Sequence, residues 1–259
     1  MKLIEITGIP GSGKSTIAPI VKEFFKKEGF DVYDGVSIIQ HCRSFPLNLL
    51  FVGKIFGWIT SKLSESRIRS IARILELNKQ YSQRFIRQNS DLFAQVKKIT
   101  ESRPISKEHK NLTISFFLNT ASSYQIALES LKNNSILILE EGFVHKATTL
   151  FVSLEENNID FKEIEKYLNR TPKVNAVINV QANEILCQKR LSKRKLPIRL
   201  ENKKDDEIMK FLSKSKSVID FNAKYLINKG IPIFSMVNES ETFSKDSLIK
   251  NISKELLKL

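Results

Sequence analysis

The sequence predicts an α/β protein whose parallel sheet is covered by helices on both faces. Three observations carry the prediction: five short apolar runs rich in β-branched residues, helical periodicity between them, and a G-x-x-x-x-G-K-S pattern where the first strand meets the first helix. Runs such as Ile136-Leu-Ile-Leu are apolar on successive residues, as expected of strands buried on both faces. The 259 residues suffice for a sizeable core, and 41% apolar with 27% charged residues excludes a disordered, collagen-like or linker-dominated chain.

Taken in order, strands are expected at 3–7, 30–33, 136–139, 174–180 and 231–237. Between the first two, Ile17, Ile20, Val21, Phe24 and Phe25 recur at helical spacing over 14–27, and Gly29 supplies a stop. The stretch 36–133 carries no strand signal and is far longer than a crossover helix requires, so it reads as a helical insertion within a single domain spanning 1–259. Inside it, Ile71, Ile74, Leu75, Tyr81 and Phe85 keep a helical beat decorated by Arg67, Arg69, Arg73, Arg84 and Arg87. Phe117, Ala121, Tyr124, Leu128 and Leu131 step by four and three, predicting a helix that ends near Asn133 and Asn134.

Forty-two basic residues against 28 acidic give a formal charge of +14, which favours phosphates, nucleic acid or an anionic membrane surface as partners. The excess is concentrated: 15 basic against 6 acidic residues over 36–133, and 8 against 2 over 181–204. A solvated lysine-rich surface is the plainer account of the same charge. Cys42 and Cys187 are too far apart for a metal clip and read as free thiols; His41, His109 and His145 show no ligand spacing. The N-terminus lacks the apolar core of a signal peptide, so the expected location is the cytoplasm. The apolar window 45–60 is broken by Pro46, Asn48, Gly53, Lys54 and Gly57 and is too short to span a bilayer. Trp58 and the 17 phenylalanines read as core.

The chemistry begins at GIPGSGKS, residues 8–15. Gly8, Gly11 and Gly13 let the backbone of Pro10, Ser12 and their neighbours curl around phosphate oxygens, and the helix N-terminus adds its positive end. Lys14 would reach the β and γ phosphates and Ser15 would serve Mg²⁺. ILILEEGF ends an apolar strand in Glu140 and Glu141, at the carboxyl edge where ligands of open α/β sheets sit, so one of the two is expected to face the metal, directly or through a water. Asp34, followed by Gly35, lies at the same edge; it reads equally as a general base for an acceptor hydroxyl or as a turn-forming Asp-Gly. CQKRLSKRKLPIRL places Arg190, Arg194 and Arg199 after the fourth strand, with Arg190 and Arg194 four apart as on one helix face. They read as an arginine lid over 188–204 that neutralises a transferring phosphoryl group, or as a basic helix in water.

Together, the P-loop, the strand pattern, the acidic strand end and the arginine segment resemble the nucleoside-monophosphate-kinase-like branch of P-loop kinases, which includes adenylate, thymidylate, shikimate and adenylylsulfate kinases. The stretch 122–151 is also similar to uncharacterised bacterial P-loop proteins. The resemblance covers 1–35 and 135–259. It implies a P-loop NTPase sheet of order 2-3-1-4-5, an acceptor site formed partly by the insertion, and a lid around 189–199. Matched by position, it implies that residues 8–16, Thr16 included, hold the nucleotide. It also puts Arg190 near the adenine or phosphates, and Asn238, in the loop after the last strand, beside the base. The insertion lacks the DRY-like element of thymidylate kinases, so a nucleotide acceptor is not implied.

The expected activity is ATP:Mg²⁺-dependent phosphoryl transfer to a hydroxyl or phosphate of a small-molecule acceptor. The rival readings are a nucleotide-switched binding module for nucleic acid or an anionic membrane surface, and a kinase acting on a nucleic-acid end or a lipid-linked sugar, with the apolar stretch 45–59 against a lipid tail.

Overall fold

A computed structural model describes residues 1–41, 77–194 and 196–239. Cys42, the apolar window at 45–60 with Trp58, the arginines at 67, 69 and 73, and Lys195 lie outside the described residues.

The chain begins with β1 (Lys2–Thr7), α1 (Lys14–Lys27), β2 (Asp31–Asp34) and the short α2 (Ser37–His41). The described part of the insertion is helical throughout: α3 (Leu77–Gln88), α4 (Ser90–Ser102) and α5 (Lys107–Ser130). Then follow β3 (Ser135–Glu140), α6 (Phe143–Phe151), α7 (Phe161–Arg170), β4 (Ala176–Gln181), α8 (Glu184–Ser192), a 3₁₀ turn (Ile198–Leu200), α9 (Asp205–Asn228) and β5 (Ile233–Val237). All pairings are parallel and the strand order is β2-β3-β1-β4-β5. This order, with the glycine-rich loop between the central β1 and α1, is a P-loop NTPase architecture.

The two-residue period of the strands divides the core. Ile4 and Ile6, with Ile136 and Ile138 alongside, face α1 and its Ile17, Val21 and Phe25. Leu3, Leu137, Leu139 and Val177 face the opposite layer, where α5, α6, α7 and α9 deliver Phe117, Phe143, Tyr167 and Leu212. Glu5 falls on this second face and is wholly buried. Insertion and sheet share one core: Phe85 of α3 stacks on Phe143 at 5.4 Å between ring centres, and Phe117 meets the same ring edge-on at 5.8 Å.

Two boundaries differ from the periodicity. Helix α5 ends at Ser130, not near Asn133, because the chain must turn before β3; Ser135 N donates to Lys132 O at 3.1 Å to close that turn. Leu128, counted in the apolar beat, is 49% exposed. Helix α8 ends at Ser192, so Arg194 lies beyond it and the shared-face argument for Arg190 and Arg194 does not hold. Gly29, at φ 84, terminates α1 as expected.

Candidate functional site

The loop after β1 is braced from two sides. Asn238, at the exit of β5, donates its side-chain amide to Ser12 O at 2.7 Å, and its own backbone N–H to Gln181 O at 2.7 Å. Arg190 of α8 donates to Gly11 O at 3.3 Å and to Asn238 O at 3.2 Å. Gly13 has φ 100, and a Cβ there would lie 2.2 Å from Asn238 Nδ2, so both conformation and space require glycine. Beyond Gly13 the first amides of α1 have no carbonyl partner within the helix and lie at its positive end.

Lys14 is buried, and its Nζ donates to Gly8 O at 2.9 Å and Ile9 O at 3.3 Å while lying 3.4 Å from Glu141 Oε1. Glu141 takes the left-handed conformation, φ 58, at the end of β3, and its N–H donates to Ile6 O at 3.1 Å. The chain then enters α6, whose first amides are capped from below: Glu5 accepts from Phe143 N at 2.7 Å and from Val144 N at 2.8 Å. A carboxylate in the middle of a central strand is thereby explained by the helix start above it. Burial pushes the Glu5 carboxyl up to about 7, against the pull of these amides and of Lys146.

Helix α6 contributes His145 and Lys146, both buried. The His145 Nδ1 lies 3.1 Å from Thr7 Oγ1, and its Nε2 lies 3.6 Å from Glu141 Oε1. Burial pushes the imidazole down to about 3, against the pull of Glu141, so it is neutral at ordinary pH. Burial also works to raise the Glu141 carboxyl, but His145, protonated in the acid range where Glu141 titrates, together with Lys14 and Lys146 holds it well below the usual carboxylate range. At neutral pH Glu141 is therefore an anion, paired with the Lys14 ammonium.

Two cavities meet here. The larger, about 840 Å³, is lined by Pro10, Gly11, Gly13, Lys14, Ser15 and Thr16, and by Glu141, Lys146, Arg190, Arg194, Arg199 and Asn238. Gly8 and Ser12 are buried beneath it. The smaller, about 580 Å³, lies between α1, the ends of β2 and β3, and the insertion helices, and is lined by Lys22, Asp34, Asn78, Asn119 and Glu140 among others. Phe116, Glu141 and Lys146 line both.

The predicted residues are thus sorted. Lys14, Ser15, Glu141, the three arginines and Asn238 share one cavity; Glu140 and Asp34 belong to the other. Asp34 Oδ1 accepts from Val36 N at 2.9 Å and Ser37 N at 2.7 Å, while Oδ2 holds Lys22, so its carboxylate is occupied as the anchor of the turn into α2. Burial opposes that charge, but Lys22 and the Ser37 amide outweigh it and lower the carboxyl. Arg199 is pushed down to about 10 by burial and by the nearby Arg103, and its Nη2 donates to Thr113 Oγ1 of α5 at 3.3 Å. Arg84 is paired with Glu129 at 2.5 Å and lies over the Tyr81 ring, so within the described insertion this cation is engaged with its own fold.

Sequence reasoning missed Glu5, His145 and Lys146. A carboxylate inside an otherwise apolar strand, and a His-Lys pair inside an otherwise apolar helical segment, were the available signals.

Serine and carboxylate oxygens suit a hard divalent cation, and Ser15 with Glu141 is the pair that lines the same cavity as Lys14. Among the described residues no cluster of three or more His, Cys, Asp and Glu is gathered, and no helix is long and apolar enough to cross a membrane. No protein-family model matches this chain, and no curated protein matches it.

Proposed function

We propose that the protein transfers the terminal phosphoryl group of ATP, as its Mg²⁺ complex, to a hydroxyl or phosphate of a small-molecule acceptor. The observation that carries this reading is the cavity in which the braced glycine loop, Lys14 and three arginines converge, sharing a wall with a second cavity under the insertion. A triphosphate would lie along the loop amides with Lys14 at its β and γ phosphates. Ser15 and Glu141 would hold Mg²⁺, which supplies charge neutralisation when bound. Arg190, Arg194 and Arg199 would offset the charge spread over the phosphoryl oxygens, so that catalysis is positioning and electrostatics.

The reaction balances simply. The acceptor oxygen forms a bond to the terminal phosphorus, the bond from that phosphorus to the bridging oxygen breaks, and the nucleoside diphosphate leaves with the electron pair. For a hydroxyl acceptor the proton passes to a carboxylate of the smaller cavity. Glu140 and Asp34, at the ends of β3 and β2, are the carboxylates placed for that role.

The test is a phosphoryl-transfer screen over sugars, nucleosides, nucleotides, lipids and oligonucleotides, with Lys14→Ala as control. Transfer that disappears in the variant, with its circular dichroism showing a folded protein, is the expected result. Unchanged turnover in Lys14→Ala, or no uptake of any purine triphosphate with magnesium by folded wild type, overturns the reading.

A further inference from the structure

Lys146 is a cation on a buried side chain with no hydrogen-bond or ion-pair partner among the described residues. Its side chain is 7% exposed, on an α6 whose nine residues are all buried. No described residue accepts a hydrogen bond from its Nζ or forms an ion pair with it; the ammonium lies over the Phe116 ring, 6.0 Å from the centroid. Lys14 makes the contrast, since its donors are committed to Gly8 O and Ile9 O with Glu141 alongside.

The side chain is buried but its ammonium opens onto the cavities, and hydrophobic packing does not require a charge there. Burial and the neighbouring Arg199 and Lys14 lower its proton affinity, and Glu141 and Glu5 sustain it. Such a group is kept where an anion arrives to be bound. The place matters as much as the charge: Lys146 is the only cation among the three residues common to both cavities, and so stands in the wall between the P-loop side and the side under the insertion.

We propose that Lys146 is a further catalytic residue, donating to the oxygens of the phosphoryl group as it crosses between the two cavities. This rests on the kinase reading above. Lys14 would bind the group while it belongs to the nucleotide; Lys146 engages it in transit, where it is attached fully to neither side, so its contribution falls on the transition state and not on nucleotide affinity.

The test uses the whole protein and needs no knowledge of the acceptor. Mg·ADP affinity is measured by calorimetry with and without aluminium fluoride, a mimic of the phosphoryl group in flight, for wild type, Lys146→Met and Lys146→Arg. The expected result has three parts. Mg·ADP binding stays within about threefold in both variants, while the gain on adding aluminium fluoride falls by at least roughly tenfold in Lys146→Met and is partly restored in Lys146→Arg. The melting temperature of Lys146→Met is equal to or above that of wild type, because an unpartnered charge has been removed from a buried side chain.

An equal aluminium fluoride gain in wild type and Lys146→Met overturns this inference alone. So does a Lys146→Met protein that melts lower and loses Mg·ADP itself, which marks a structural lysine. Wild type that binds no Mg·ADP, or shows no gain with aluminium fluoride, overturns the kinase reading and this inference with it.

Discussion

The side-chain amide of Asn238 reaches back 226 residues to donate to the carbonyl of Ser12 at 2.7 Å, fastening the exit of the last strand to the loop that follows the first. Both groups are buried. Asn238→Ala leaves the Ser12 carbonyl without its donor, at a cost of about 1–3 kcal/mol in stability. A loosened loop also presents its amides less well, so Mg·ATP affinity should fall by roughly tenfold. Thermal melts and calorimetry check the two parts; a variant with normal melting and normal affinity would show that Asn238 does not brace the loop.

Gly142 lies directly above the Glu5 carboxyl, and a Cβ added there would come within 2.3 Å of it. Gly142→Ala should destabilise the protein by about 1–3 kcal/mol, as overpacking of a buried contact does. In a Glu5→Ala background the added methyl has room, so the loss on going from Gly142 to Ala should shrink. Urea denaturation of the four proteins gives the coupling energy; additive losses would remove the steric explanation.

Glu5 also sets a pH dependence. Its folded carboxyl lies at about 7 against an ordinary value of 4.5. Between these values the folded protein holds a proton that the unfolded chain has released. The stability linked to this group is therefore full below about pH 4.5 and is lost as the pH rises to about 7, roughly 3 kcal/mol in all. Glu5→Gln should flatten that part of the stability profile. An unchanged slope between pH 4.5 and 7 in the variant would assign the dependence to other groups.

The arginines separate by what they hold. Arg190 ties Gly11 to Asn238, so Arg190→Ala should raise the KM for ATP and lower the melting temperature together. Arg194 is exposed in the cavity wall beyond α8, so Arg194→Ala should lower kcat by roughly 10–10³-fold with stability unchanged. Steady-state kinetics and melts on the same preparations decide it, and the opposite pattern would exchange the two roles.

Much of the fold was legible because a few local signals dominate it. Alternating apolar residues put Ile4 and Ile6 on one face of β1, and the glycine pattern fixed the start of α1 at Lys14. Helix ends were less legible, since the turn at 132–135 that stops α5 is imposed by where β3 must begin. Within the site, Lys14, Ser15 and Arg190 could be named because their neighbours in sequence define them. Glu5, His145 and Lys146 could not, because their meaning comes from α6 resting its first turn on β1, a relationship across about 140 residues. The same packing separates Glu140 from Glu141: the left-handed turn at Glu141 puts the second beside Lys14 while the first lines the smaller cavity.

The bond from Arg199 to Thr113 joins the strap that follows α8 to the longest described helix of the insertion. Whatever draws Arg199 toward an anion in the larger cavity therefore tugs on α5, which forms a wall of the smaller one. Nucleotide arrival would be felt at the second compartment before any co-substrate enters, which makes a compulsory order of addition, nucleotide first, the expected kinetic scheme. Product- and dead-end-inhibition patterns of random addition would mean that the strap and the insertion move independently.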